Sequence, residues 1–542
     1  MSTRKVGSLP SRKVRPISRQ QVFNPSGGLN ILGSPNLIAD KEWAGLLNVQ
    51  FDEGGVVRKR MGYTTFASTL TSAYGLGSLV TDTYNQLFTI DGTNFKYTTG
   101  STWTTNSSAL FTASQDIATT QARGKAYIWN GVNGGTQWDG STLSRPGTMP
   151  KGRFSVFYNS YHIASGVDGQ SSRVYVSVLG DSSDFTNADG TGGVTWNTTE
   201  VPGATVFAGT GANYIDIQPN DGDRITALGV YQEICIVFKQ FSIYQLTFDT
   251  NGDPVVQLIT RAAGCISPRT VKNVENDLYF LSREGIRMLG NEANYFNSIR
   301  TSVISRNIQP DIDAMREDSY SKASAIYFND EYIISIPDSG GNLTYTYSYN
   351  RNFKAWTKWD NIQAGAFNKF VDADNNLKLL FISNGGTQTY EFTPSIYSDN
   401  GLPINSYLLS KVFDFKNPDI TKYFVDLGLM FRTISGQVDI EIYTEGNLLF
   451  GGTAGIAGNL VADGMGYSML GYTMLGLGGG DADSLTAYSD IIRRVVINTN
   501  STTIRFKLTN NRNNENFVLL GYINAFYPYG HYLFNSDNKI YL

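Results

Sequence analysis

The sequence predicts an all-β protein: a β-propeller of five to eight blades followed by a β-sandwich, with an extended arm in front. Three observations carry this expectation. Aromatic residues make up 13% of the chain, glycine supplies 56 of its 542 residues and charged residues only 17%, the balance of many short strands joined by tight turns. Short aromatic-bearing segments recur between residues 64 and 395, punctuated by Asp-Gly and Asn-Gly. Beyond residue 395 the pattern changes to strict period-two alternation.

The chain opens on a basic arm. Residues 1–39 contain Arg4, Lys5, Arg12, Lys13, Arg15 and Arg19 and no acidic residue, so this stretch carries +6. The whole chain is −4, which leaves −10 for the remainder (−4 minus +6). A basic Ser/Pro-containing tail on an acidic body predicts a disordered arm that docks on DNA phosphates or on an acidic neighbouring subunit. A merely solubilising tail is the plainer alternative. The arm has no interleaved aromatic residues and no helical period, which argues against sequence-specific DNA reading.

Residues Gly27 to Tyr63, GGLNILGSPNLIADKEWAGLLNVQFDEGGVVRKRMGY, read as an extended strip that feeds a β-structure. Asn24-Pro25 favours a turn, Pro35 biases Ser34 away from helix, and Gly27, Gly28, Gly54 and Gly55 punctuate the run. Leu46, Leu47, Val49 and Phe51 supply the apolar residues of a first strand. Periodicity alone fits an ordinary N-terminal hairpin of any all-β protein equally well. The segment resembles the leader of phage tail hub and nozzle proteins, a family that includes the packaged-DNA stabilisation proteins of short-tailed phages. Gly27 to Asn30, the acidic turn Asp40 to Glu42, Asn48-Val49, Gly54-Gly55, and Lys59, Arg60, Gly62 and Tyr63 stand at the family's positions. Residues 1–63 are therefore expected to form arm and leader, with the strip connecting the arm to the first propeller strand. Arg58, Lys59 and Arg60 are expected to touch a neighbouring subunit or DNA.

Residues 64–395 read as successive hairpins. The segment at 85–104 turns at Asp91-Gly92, and that at 125–143 carries Trp129, Asn130-Gly131, Trp138 and Asp139-Gly140. Two-residue turns are predicted at these Asp-Gly and Asn-Gly pairs. Further units follow at 153–166, 173–181, 223–249, 277–289, 325–337 and 344–360. Blades of roughly 40 to 50 residues imply six or seven over this length; a large sandwich or stacked barrels would also fit such alternation. One helix is expected at Ser302 to Met315, where Ile304, Ile308 and Ile312 recur at helical spacing, shortened or kinked by Pro310. The ordered series ITAL (225–228), CIVFKQFSIYQL (235–246), GCISPRTV (264–271), FLSREGI (280–286) and AWTKWD (355–360) is again similar to the phage tail hub family.

Residues 396–542 predict a separate β-sandwich. Val438, Ile440 and Ile442 alternate with Asp439 and Glu441, and Ile504, Phe506 and Leu508 with Arg505 and Lys507, one face buried and one wet. Between these strands lies the glycine-rich stretch 464–484, with the repeat GYSMLG, GYTMLG. Its Met465, Tyr467, Met469, Leu470, Tyr472, Met474 and Leu475 offer adaptable apolar surface suited to a partner or a second copy, lining or closing a channel. A hairpin folded on its own sandwich is the alternative.

Several chemistries lack support in the sequence. Cys235 lies in the apolar run ICIVF and Cys265 follows Gly264, so both read as buried hydrophobes. With His162 and His531 they form no metal-ligand spacing, and no nucleophile elbow accompanies either histidine. No apolar run reaches the ~18 residues of a membrane span, and the first residues lack a signal-peptide core, so synthesis in a host cytoplasm is expected. DGTGGVTW at 189–196 resembles the Asp-box turn of sialidases but is spaced two residues too long.

The family resemblance implies a virion protein: a homo-oligomeric ring, a hexamer, beneath the portal and adaptor proteins and in contact with tail fibre or tail tip proteins. Double-stranded DNA would be retained by it and leave through it without sequence preference, with no catalysis, metal or cofactor. The competing expectation is a carbohydrate-active propeller, sialidase-like or a depolymerase, or a receptor-binding one.

Overall fold

Among the described residues five strand reversals are two-residue turns in which both residues have positive φ: Arg123-Gly124, Asn159-Ser160, Gln232-Glu233, Asn329-Asp330 and Glu445-Gly446. Such turns match the right-handed twist of the strands they join. The computed structural model describes residues 17–107, 109–186, 213–250, 252–292, 298–372, 374–432, 436–455 and 490–528.

Within these residues six four-stranded antiparallel sheets and a seventh sheet of six strands form the blades of a β-propeller. Their innermost strands are Gly77–Val80, Ala118–Ala122, Phe154–Tyr158, Ile225–Tyr231, Lys272–Val274, Ser324–Phe328 and Ala364–Val371. Each touches the next, and the seventh touches the first, so the ring is closed. Blade 7 takes three strands from the end of the propeller segment and its fourth strand, Gly62–Thr65, from the beginning, paired with Thr389–Thr393, and the short strands Ser398–Asp399 and Leu402–Pro403 extend the sheet beyond it.

Two of the predicted tight turns are longer. Ile128 pairs with Thr136 and Trp138 with Leu143, so Asn130-Gly131 and Asp139-Gly140 open wider loops. Each opening side chain caps its loop: Asn130 accepts from the N–H groups of Val132 and Asn133, and Asp139 from those of Ser141 and Thr142. These are Asx turns, which compete with the two-residue geometry. The expected helix is also cut short. Ser302 and Val303 remain in the strand Ser298–Val303, followed by a 3-10 turn at Arg306–Ile308 and one α-helical turn at Gln309–Asp313. Pro310, with no N–H to give, is tolerated only in that first turn. Ile308 and Ile312 are buried as the spacing predicted.

The sandwich has two six-stranded sheets. One orders Val49–Phe51, Val57–Lys59, Val518–Tyr527, Lys422–Arg432 and Asp490–Ser501, with Ser18–Phe23 also paired to Val518–Tyr527. The other orders Gly28–Leu29, Glu42–Leu47, Ser406–Ser410, Ile504–Asn510, Gln437–Thr444 and Asn447–Gly455. Val438, Ile440, Ile442, Ile504, Phe506 and Leu508 all face its core. The leader strip is thus part of the sandwich instead of a connector between arm and propeller. The cause is apolar burial: Val22, Leu29, Trp43, Leu46, Val49, Phe51 and Val57 share one core with Phe506, Leu519 and Tyr522.

The propeller is inserted between two strands of that sandwich, and both its ends leave at one point. Gly62 N–H donates to the Ile396 carbonyl, 2.6 Å away. The sandwich rests on the outermost strand of blade 6, Ala355–Trp359, and a single apolar core runs from one body into the other.

Candidate functional site

Three places are distinctive: the joint between the bodies, the free edge of the sandwich, and the propeller channel. At the joint, Asn48 is held at positive φ and fully buried. Its side chain donates to Asp360 and to the Asn405 carbonyl and accepts from Arg60 Nε at 2.9 Å. Arg60 is 0% exposed and grips Asp399, 2% exposed, with both terminal nitrogens at 2.8 and 2.6 Å. Its remaining donors reach the Met61 and Asp360 carbonyls. Tyr63 closes the set by donating to the Asn361 carbonyl.

The motif glycines belong to the same joint. Gly28 has φ +79°, and a Cβ there would lie 2.7 Å from the Trp356 nitrogen. At Gly62 a Cβ would collide with the Ser398 carbonyl. The Trp359 indole N–H donates to Val49 O at 2.9 Å, tying blade 6 to the strip.

The expectation that Lys59 and Arg60 meet a neighbour or DNA is therefore corrected. Both are wholly buried and satisfied within the chain, Lys59 donating to Asn510 Oδ1 and the Arg512 carbonyl. Burial, with Arg60 alongside, brings the Lys59 pKa down to about 8. Arg58 is half-buried. Its charge acts on Glu331, whose carboxyl is pushed up to about 7 by burial and accepts from Ser348 Oγ and Gln50 Nε2.

Glu331 gives a pH test. Its folded pKa of about 7 lies above the ordinary 4.5. Between these values the native chain keeps a proton that the unfolded chain has released, so stability from this group is complete below pH 4.5 and lost as pH rises through 7. Glu331→Gln is expected to match the parent in urea unfolding at pH 4.5 and to exceed it by roughly 3 kcal/mol at pH 8. Equal stabilities at both pH values would sink this account.

The sandwich edge is Asp490–Ser501. It pairs with Lys422–Arg432 on one side and, among the described residues, with no strand on the other. Ile492 and Val496 on its outer face are 48% and 65% exposed, and Leu448 and Leu449 are exposed on the other sheet's edge strand, Asn447–Gly455. The stretch 464–484, with Met465, Tyr467, Met469, Leu470, Tyr472, Met474 and Leu475, lies outside the described residues and between these two edges in sequence. So do Arg4, Lys5, Arg12, Lys13 and Arg15 of the arm, His531, and residues 189–196. Arg19 is described: it sits exposed on the strand Ser18–Phe23, beside a recess of about 350 Å³ bordered by Asp40, Lys411 and Phe526.

The channel cavity, about 730 Å³, lies on the propeller axis where the inner strands begin, and all seven blades line it. Arg153, Arg224, Arg269 and Lys322 face it against Asp116 and Asp168. Arg153 pairs with Asp168. Arg269, from blade 5, reaches across the axis to Asp116, 3.2 Å away on the approach to blade 2, and also donates to the Ser321 and Lys322 carbonyls. Nothing in the sequence flagged this cluster, because its members come from separate blades.

The remaining reactive residues are structural. His162 is fully buried, with Nδ1 2.8 Å from the Ser182 carbonyl and Nε2 3.0 Å from Ser155 Oγ, and burial lowers its pKa to about 4. Cys235 and Cys265 are buried free thiols pushed up to about 12.

No protein-family model and no curated protein matches the chain. Among solved structures it is similar to a virginiamycin B lyase from Staphylococcus aureus at 11% identity and TM-score 0.38, over 61% of this chain and 98% of that one. It is similar likewise to YCF48 from Cyanidioschyzon merolae, at 11% identity and TM-score 0.33 over 60% and 96%. A streptogramin B lyase structure gives 10% identity and TM-score 0.37 over 61% and 96%. Likeness at this level concerns the fold alone.

Proposed function

We propose that the chain is a structural subunit of a phage tail hub or nozzle, assembling into a closed ring that retains packaged DNA and conducts it on ejection. The observation that carries this reading is the joint: the positions at which the leader strip resembles that family, Gly28, Asn48, Arg60, Gly62 and Tyr63, are those that lock propeller to sandwich. A rigid two-body subunit suits a load-bearing ring.

Head-to-tail closure has the surfaces it needs. The strand Ser18–Phe23, which leads back to the basic arm, lies on one side of Val518–Tyr527 and Lys422–Arg432, and the free edge Asp490–Ser501 lies on the other. One subunit's arm can then engage the next subunit's edge, a heterologous contact that closes by rotation. Exposed strand edges bearing apolar residues are pairing sites unless blocked. Portal, adaptor and fibre proteins are the partners this reading assigns, with duplex DNA in the lumen of the ring and a virion location.

The test is electron microscopy and sedimentation of the purified chain. Six-fold rings are expected, with Ile492→Asp/Val496→Asp remaining monomeric while keeping the parent melting temperature. Monomers from the parent chain at assembly concentrations would overturn the reading. The channel cavity favours a second one, a carbohydrate- or receptor-binding propeller, for which glycan binding or turnover by the monomer is the expected sign.

A further inference from the structure

The propeller channel concentrates positive charge in an acidic chain. Its mouth carries four cationic side chains and two carboxylates, a balance of +2 (four minus two), while the chain as a whole is −4. Both carboxylates are already committed, Asp168 to Arg153 and Asp116 to Arg269. Arg224 is exposed at the mouth, and no described side chain partners its guanidinium.

Two further lysines stand on inner strands. Lys272 begins the inner strand of blade 5, and Lys369 lies in that of blade 7. Blade 6 separates them, yet the charge of Lys369 acts on Lys272. Lys272 has no hydrogen-bond or ion-pair partner among the described residues. Burial, Arg269 and Lys369 together bring its pKa down to about 8. Among the described residues Lys369 has only the Tyr327 ring, 5.7 Å from its ammonium.

Unpaired cations sharing a partly dry channel are destabilising as they stand, and a cluster of this kind in a concave site is a mark of ligand recognition. A cavity of about 730 Å³ suits a small molecule and is too small for a DNA duplex. Guanidinium groups bind phosphate and carboxylate in a two-pronged fashion, and ammonium groups add point charge.

We propose that the propeller channel is a binding site for a small polyanion, one carrying two or more phosphate or carboxylate groups, held by Arg224 and Arg269 at the mouth and by Lys272 and Lys369 on the inner strands of blades 5 and 7. The site is formed within one subunit and does not depend on ring assembly. Calorimetric titration of the full-length chain at pH 7 with tripolyphosphate and, separately, with citrate tests it. Saturable binding at one site per chain is expected, weakened about tenfold or more by Lys272→Met and by Arg224→Ser, as loss of a charge-assisted contact predicts. Binding of tripolyphosphate alone assigns a phosphate ligand, binding of citrate alone a carboxylate one, and both together a site that reads charge. Lys272→Met is also expected to melt above the parent in ligand-free buffer, because an unpaired, half-buried cation is removed. Absence of saturable heat with either probe at millimolar concentration, or binding unchanged in both variants, overturns the proposal. Arg224→Ser, at the exposed mouth, keeps the test valid should Lys272→Met fail to fold.

Discussion

Arg60→Met is expected to destabilise the folded chain by about 3–5 kcal/mol, the cost of leaving a buried charge without its partner. Asp399 would be left 2% exposed with neither of the guanidinium bonds it now accepts, and Asn48 Oδ1 would lose one of its two donors. Asp399→Asn alone should cost less, since an amide can still meet part of the Arg60 fork. Arg60→Met/Asp399→Leu is expected to recover much of the loss, because exchanging a buried pair for apolar side chains is often near neutral. The coupling energy in this cycle, read by urea unfolding, is the measure of the joint. The exposed pair Arg153–Asp168 is the internal comparison: its side chains are 57% and 77% exposed, and Arg153→Ala should stay within about 1 kcal/mol of the parent. Equal effects at the two sites would mean that Arg60 packs the joint without supporting it electrostatically.

Much of the architecture was legible where side chains repeat with a simple period. Alternation at Val438–Ile442 and Ile504–Leu508 gave the buried face of two sandwich strands, and recurrent aromatic hairpins gave the propeller. The turns Gln232-Glu233 and Asn159-Ser160 were harder, because positive φ is imposed there by strand twist on residues other than glycine. What period cannot reveal is which distant segments pair. Nothing local in Glu42–Leu47 says that its neighbour is Ser406–Ser410, or that Gly62–Thr65 completes a blade whose other strands lie beyond residue 363. The same holds for the sites. Arg60 stands in the sequence as one of three consecutive basic residues with no sign of burial, since its partner Asp399 lies 339 positions away. The channel cations are scattered between residues 153 and 369 and become a cluster only when seven blades close.

The largest expected effect follows from that long-range pairing. The segment 396–542 expressed alone is expected not to fold cooperatively, despite containing the most regular strands of the chain. It lacks Val22, Leu29, Trp43, Leu46, Val49, Phe51 and Val57, seven side chains of the sandwich core. Burial of each is worth roughly 1.5–3 kcal/mol, so their loss exceeds about 10 kcal/mol, comparable with the whole net stability of a domain. Their strands also cover Ser406–Ser410 and one side of Val518–Tyr527, which would be left as open edges prone to aggregation. Since the propeller enters and leaves at Gly62 and Ile396, joining residue 60 to residue 397 by a short Gly/Ser linker deletes the propeller while keeping every sandwich strand. That chain, beginning at residue 17, is expected to show a cooperative urea transition where 396–542 shows none. It should be weaker than the parent, because Trp356 and Trp359 of blade 6 no longer cover the strip. A cooperative transition in 396–542 alone would instead make the leader an accessory strip, and the joint at Arg60 a fastening between two bodies that fold independently.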